Sequence, residues 1–469
     1  MMKRFAALLL AALLIPICIA QNSAVVGTWE GKLTLPNAAF RIAFLISEES
    51  GALKVLLQSP DQTSQLFPAD SASYSGGELK IEFKGLQGSY VGKLSSDGKA
   101  LEGSWTQSGQ AHVLNLKKVE KVSGPNRPQE PKPPFPYKII EVSFENKAAK
   151  ARLSGTLTIP AGVASPPVVV LVTGSGAQDR DEFIAGHRPF WVIADYLSRH
   201  GIAVLRYDDR GYAKSTGDRL LATTLDFADD VLAAVDFLKT QKGINPKKIG
   251  VIGHSEGGLI CPIVATRSKD VAFVISLAGT GVTGEEIVLE QTAKISKASG
   301  VPDSKIKQNT ELQKQIFSVL AEEISDDEAK QKVTELAMKA YDKLSDDEKK
   351  LAGTREAFAA QVVGPAASRW FRTFLTLDPS EFWSNVKVPA LILNGEKDLQ
   401  VLAEQNVPKI EKCLKDAGNK QYTVKRFPNL NHLFQTCTTG SPSEYATIEE
   451  TISPDVLKTI SDWLLKITK

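Results

Sequence analysis

From Ile139 to the C-terminus, short runs of β-branched and aliphatic residues alternate with stretches whose apolar residues recur at helical spacing, and this alternation constrains the fold most. Strands that are apolar on both faces need cover on both faces, which crossover helices supply. The pattern therefore predicts an α/β fold with a mostly parallel sheet and helices on either side. Strands are expected at 139–144 and 153–159, as edge strands, then at 168–172, 202–207, 249–252, 273–277, 391–394 and 422–427. Helices are expected at about 190–200, 225–240, 256–267, 401–417 and 454–467.

One interval breaks the rhythm: about a hundred residues lie between Leu277 and Leu391, too many for a crossover. Ser325-Asp326-Asp327-Glu328 and Ser345-Asp346-Asp347-Glu348 have capping-box form, and Val333, Leu336, Ala337, Tyr341 and Leu344 follow helical spacing. A helical cap inserted at 281–380 is predicted. Trp370, Phe371 and Phe374 near its end suit either a substrate-facing apolar wall or plain packing of cap on core, and the charged residues suit a solvated face.

The chain of 469 residues exceeds one ordinary domain, and its N-terminal part reads differently. Residues 21–120 carry short alternating strands separated by Gly and Asp turns, an all-β module. The related phrases Gly27-Thr28-Trp29-Glu30-Gly31 and Gly103-Ser104-Trp105 place its first and last strands together in a nearly closed sheet. With no cluster of exposed aromatics in view, packing is favoured over ligand binding for this module. Prolines 125, 128, 131, 133, 134 and 136 crowd the next stretch, so 121–137 reads as an extended linker and 138–469 as the main domain. Residues 1–20 open with Lys3 and Arg4 and run apolar from Phe5 to Ile19 before Ala20, which reads as a signal peptide. Export to the periplasm or the medium is expected, without a stable membrane anchor. Cys18 raises lipidation, but Ile17 stands where a small residue is wanted.

A formal net charge of +2 offers no footprint for nucleic acid or an anionic membrane. Cleavage would leave Cys261, Cys413 and Cys437, an odd number with no metal-ligand spacing, so neither a disulfide framework nor a metal is expected. One bridge, Cys413 with Cys437, is the most that could form, and scattered buried thiols are the plainer reading.

The chemistry centres on Gly253-His254-Ser255-Glu256-Gly257. A G-x-S-x-G pentapeptide arises by chance in roughly one chain in ten of this length. Here it directly follows a predicted strand and opens a predicted helix, the strand-turn-helix setting that exposes a serine on a sharp turn. A serine hydroxyl needs a base to take its proton and a carboxylate to orient that base. Of the five histidines, His112 lies in the β-module, His254 sits in the turn, and His187 and His200 precede the serine. His432 alone follows it, in a loop after the strand 422–427. Between them, Asp398 on the loop after 391–394 is the expected acid, with Glu396 as runner-up. Backbone N–H donors for an oxyanion are expected from Glu256 and from Ser175 in Thr173-Gly174-Ser175-Gly176, with Gly176 as the alternative.

Taken together, Gly174 to Asp181, Arg206 to Gly211, Gly253 to Gly258, Asn394 to Val401 and Asn431 to Gln435 resemble the motifs of bacterial serine esterases of the α/β-hydrolase superfamily, grouped loosely with serine aminopeptidase-like hydrolases. The resemblance covers 139 to the C-terminus and leaves out the β-module. It implies an α/β-hydrolase fold without a cofactor and carries over Ser255, Asp398 and His432 as catalytic residues. The implied activity is hydrolysis of small carboxylic esters through an acyl-enzyme. The same triad also suits a serine peptidase of aminopeptidase type, an acyltransferase or a thioesterase, and an intact triad argues against a non-catalytic binding protein. The expected partner is a small-molecule ester or amide. Asp208 and Arg210 are expected to pair with each other and brace a loop.

Overall fold

Successive side chains of a strand point to opposite faces, so a strand buried on both sides feeds two cores at once. In the strand Val168–Val172, Val168, Val170 and Val172 enter one core, and Val169 and Leu171 enter the other. The first core is closed by Val231, Val235, Leu259, Ile260, Ile410 and Leu414, carried on helices Thr224–Lys239, Glu256–Arg267 and Ala403–Asp416. Phe190, Ile193, Leu197, Val456, Ile460 and Leu464, on helices Pro189–Arg199 and Pro454–Ile467, close the second. Each such side chain contributes about 1.5–3 kcal/mol by leaving water.

The computed structural model describes residues 22–35, 38–61, 66–107, 109–122, 126–366 and 368–469. The segment read as a signal peptide lies outside the described residues. Among those described, no helix is long and apolar enough to cross a membrane. The chain divides into two compact units, Met1–Asn126 and Arg127–Lys469.

In the larger unit an 8-stranded sheet runs in the order Tyr137–Asn146, Ala151–Pro160, Ala203–Tyr207, Val168–Val172, Ile249–His254, Val271–Leu277, Ala390–Gly395, Tyr422–Phe427. The first two pairings are antiparallel and the rest parallel. The mostly parallel, doubly covered sheet of the α/β-hydrolase class is therefore present. Between Val271–Leu277 and Ala390–Gly395 a run of helices extends from Gly284 to Trp383. Two of them start at serines whose side chains accept from the N–H groups of Glu328 (3.2 Å) and Glu348 (3.4 Å).

The N-terminal unit is an antiparallel sheet in which the first strand, Gly27–Leu35, pairs with the last, Leu116–Val119, and the strand carrying the second tryptophan phrase, Ala100–Gln107, lies beyond that last strand rather than beside the first. Trp29 and Trp105 are buried in its core with Phe44, Phe83 and Tyr90. Both tryptophans are thus packing residues.

The stretch read as a linker at 121–137 is anchored from Arg127 onward, within the larger unit. Arg127 donates to the carbonyls of Gly186 (3.0 Å), Ala446 (2.9 Å) and Ile448 (2.6 Å). Gln129 bonds the backbone of Thr451 and Ile452, and Arg188 pairs with Glu130 at 2.7 Å. Proline content predicts an extended path but says nothing of the polar side chains between the prolines, and these dock it. A fragment beginning at Arg127 should therefore melt above one beginning at Tyr137, by about 5 °C if the lost bonds total about 2–4 kcal/mol. Thermal unfolding of the two fragments checks this, and equal midpoints would show that the anchors add no stability.

Cys261, Cys413 and Cys437 are all free thiols, so the bridge allowed between Cys413 and Cys437 is not formed.

Candidate active site

The strand Ile249–His254 ends in a turn at Ser255, which has φ 55° and ψ −114°, and the helix Glu256–Arg267 begins at the next residue. A non-glycine residue in such a conformation costs on the order of 1–3 kcal/mol and persists only where its surroundings enforce it. The Ser255 N–H donates to Leu277 O at 2.8 Å, and its carbonyl accepts from Gly258 N–H at 2.9 Å. A Cβ on Gly253 would stand 1.9 Å from the Gly257 carbonyl oxygen, and one on Gly257 would stand 2.2 Å from that of Val172. The turn closes only because both positions are glycine.

Ser255 lines a cavity of about 250 Å³ together with Ser175, Glu256, Gln291, Trp370 and Phe374. Trp370 stacks on Phe374, with ring centroids 5.4 Å apart, and Phe371 lines the same cavity. The Trp370 indole N–H donates to Glu256 Oε1 at 2.7 Å, and Thr224 Oγ1 donates to the same oxygen at 2.6 Å. Burial raises the Glu256 carboxyl above the usual range, and these two donors oppose the rise.

His432 lies in the loop after Tyr422–Phe427, with Nδ1 2.8 Å from Asp398 Oδ2. Both side chains are buried. Asp398 Oδ1 accepts from the N–H groups of Gln400 (2.8 Å) and Val401 (2.9 Å), which aims the other oxygen at the imidazole. A carboxylate at Nδ1 keeps the proton there and leaves Nε2 as the basic nitrogen. The runner-up acid, Glu396, lies 3.4 Å from Arg426, and among the described residues its carboxylate makes no hydrogen bond to His432. His432 packs on His254, the residue before Ser255, with ring centroids 4.8 Å apart. Among the described residues the Ser255 hydroxyl makes no hydrogen bond, to His432 Nε2 or to any other group.

The loop Thr173 to Gly176 passes close enough that a Cβ on Gly174 would come within 3.2 Å of Ser255 Cβ. Among the described residues, the N–H groups of Ser175 and Glu256 donate to no protein acceptor, and both residues line the cavity. Asp209 supports this loop by accepting from Thr173 Oγ1 (2.7 Å) and Gln178 N–H (2.9 Å). The alternative donor residue, Gly176, has φ 98°.

The other histidines are placed elsewhere. His187 is buried between Thr451 Oγ1 (3.0 Å) and Tyr445 O (2.9 Å), and burial with Arg127 nearby pushes it down to about 4. His200 is exposed and stacks on Tyr196, and His112 lies in the N-terminal unit. The expected pairing of Asp208 with Arg210 is not formed. Asp208 binds Arg180 (2.8 Å), and Arg210 binds Asp230 (2.8 Å), because the turn after Ala203–Tyr207 sends the two side chains to different neighbours.

Two acidic residues at the site had no signal of their own. Glu256 is expected only as an N–H donor, yet its carboxyl fastens the helix Arg369–Thr376 to the Ser255 turn through Trp370. Glu182 accepts from the Gly174 N–H at 2.9 Å and lies 2.9 Å from His254 Nδ1. Separations of 114 residues for Trp370 and Glu256, and 72 for His254 and Glu182, leave no local pattern to read.

This sheet, turn and cavity define an α/β-hydrolase. Residues 189–436 match the serine aminopeptidase family S33, and the chain belongs to that family. Ser255, Asp398 and His432 fall within the matched segment, and Ser175 precedes it. Among its relatives, esterase EstD of Thermotoga maritima is 28% identical over 327 residues, covering 69% of this chain and 68% of the esterase. Thiohydrolase aneE of Aspergillus aculeatus is 32% identical over 127 residues, covering 27% of this chain and 37% of the thiohydrolase. A solved structure of the Pyrococcus furiosus esterase Pf2001 is 16% identical, with a TM-score of 0.41 over 74% of this chain and 98% of that one. The protein is a hydrolase.

Proposed function

We propose that the protein is a serine hydrolase that cleaves small carboxylic esters through an acyl-enzyme intermediate. The observation that carries this reading is the buried His432–Asp398 contact, packed on the residue that precedes a strained, cavity-lining serine.

In this mechanism His432 Nε2 takes the Ser255 proton as Oγ attacks the ester carbonyl carbon. The oxyanion so formed is bound by the N–H groups of Ser175 and Glu256. Collapse expels the alkoxide, which receives the proton from His432, and leaves the acyl group on Ser255. Water, activated by the same histidine, then attacks the acyl carbon, releasing the carboxylic acid and restoring the hydroxyl.

The preference for esters rests on leaving-group chemistry and on the cavity wall. An amide needs its poor amine leaving group protonated, and an aminopeptidase needs a carboxylate reserved for the substrate ammonium, whereas an activated ester asks mainly for nucleophile and oxyanion donors. Trp370, Phe371 and Phe374 offer an apolar wall suited to an acyl chain. The name of the relative EstD agrees with this reading. Export behind Ala20 and action on a small molecule rather than nucleic acid belong to the same proposal, on the strength of the N-terminal apolar run and the near-neutral charge.

The test compares kcat/KM on acetyl and butyryl aryl esters with kcat/KM on aminoacyl arylamides. Esters should be favoured on the order of a hundredfold or more. An arylamide that matched the esters would replace this reading with the aminopeptidase one.

A further inference from the structure

Three loops must keep their spacing for the proposed chemistry: the one bearing Ser175, the turn bearing Ser255, and the one bearing His432. A single buried pair touches all three. Glu182, 2% exposed, accepts through Oε1 from the Gly174 N–H at 2.9 Å, next to Ser175. The same oxygen lies 2.9 Å from Nδ1 of His254, which is 6% exposed and adjacent to Ser255. On its other side, His254 Nε2 lies 3.0 Å from the backbone carbonyl oxygen of His432.

The protonation state follows from the partners. With Glu182 ionised, its carboxylate oxygen and the His432 carbonyl oxygen can only accept, so both ring nitrogens of His254 donate, and only the imidazolium carries two N–H groups. Opposite an ionised Glu182, the neutral ring would point one lone pair at an oxygen in this buried setting, where an unmet polar group costs about 1–3 kcal/mol.

We propose that His254 and Glu182 form a positioning device for the hydrolytic site, in which the His254 imidazolium, held between the Glu182 carboxylate and the His432 carbonyl, locks the Ser175 loop and the His432 loop onto the Ser255 turn. This rests on the serine hydrolase reading. Neither residue touches the reacting atoms; both act through the groups they hold. The charged groups facing His254 are Glu182 from the loop after Val168–Val172 and, farther off, Asp398 from the loop after Ala390–Gly395. The ring of His432, from the loop after Tyr422–Phe427, packs beside it. Burial alone would discharge His254, but the Glu182 carboxylate, the His432 carbonyl and Asp398 outweigh it and raise its pKa above the ordinary histidine value. The lock is therefore present below this raised pKa and is lost as pH climbs through it. Activity should fall at alkaline pH as His254 discharges.

Two measurements test the device. Histidine ring NMR on the full chain with Ser255→Ala should show, just above the pH at which an ordinary histidine is half-charged, one buried imidazole protonated at both nitrogens that disappears in the additional variant His254→Asn. A singly protonated His254 at that pH would overturn the proposal whatever the behaviour of any variant. In the active enzyme, Glu182→Gln removes the charge and keeps the shape. It should lower kcat on an aryl ester about tenfold to a hundredfold, with KM within about threefold, since misplacement mainly affects groups aligned in the transition state. Its alkaline loss of activity should begin at lower pH than in the wild type. A folded Glu182→Gln enzyme with wild-type kcat and an unmoved alkaline limb would also overturn it. If the wild type cleaved no ester, the hydrolase reading would fall, and the NMR result would still decide whether the charged pair exists.

Discussion

Ser255→Ala and His432→Ala are each expected to lower kcat on an aryl ester by about 10⁴–10⁶-fold, and the double variant to be no more than about tenfold below either one. In the proposed mechanism Ser255 and His432 act as a unit. Without the hydroxyl there is no proton for His432 to take, and without the imidazole the hydroxyl is a poor nucleophile at neutral pH. Both variants should fold. Ser255 makes its structural bonds through its backbone, to Leu277 and Gly258, and alanine keeps these. Losses that add in the double variant would show that one of the two lies outside the machinery.

Asp398→Asn should cost on the order of 10³–10⁴-fold in kcat with a much smaller change in KM. Asp398 Oδ1 accepts from the Gln400 and Val401 N–H groups, while Oδ2 faces His432 Nδ1. An asparagine that keeps its oxygen toward those backbone donors turns its NH₂ group to His432. Nδ1 must then accept, the ring proton moves to Nε2, and the base is blocked. Glu396→Gln should leave kcat within about twofold, because that carboxylate meets Arg426 near the surface. Steady-state kinetics of the two variants decide the matter, and the opposite ranking would move the acid to Glu396.

The fold was legible wherever burial imposes a pattern on neighbouring residues. Val168–Val172, Glu256–Arg267, Tyr422–Phe427 and Pro454–Ile467 have the bounds read from periodicity, since a doubly covered strand must be apolar throughout and a packed helix must be apolar on one stripe. The turn at Ser255 was legible for a related reason. Its tight closure admits only glycine at 253 and 257, so steric demand leaves a mark in the sequence. His432 was reached by chain order and elimination.

Contacts between side chains far apart in the chain left no such mark. Arg127 reaches carbonyls more than 300 residues away, at Ala446 and Ile448, and nothing in its proline-rich surroundings announces it. Asp208 and Arg210 have a spacing that invites an ion pair, yet each finds a better-placed partner in Arg180 or Asp230. Glu182 was adjacent to a quoted motif and still unassigned, because its role depends on His254 and on a carbonyl from a third loop.

The central claim, that Ser255 forms a covalent acyl-enzyme, is tested most directly by rapid mixing with an excess of a slowly deacylating aryl ester, followed by intact and peptide mass measurement. One acyl group per chain should appear on the peptide that contains Ser255, together with a burst of aryl alcohol of about one equivalent, and both should vanish in Ser255→Ala. Steady hydrolysis of the ester by the wild type with no burst and no adduct, or an adduct that persists in Ser255→Ala, would contradict the account.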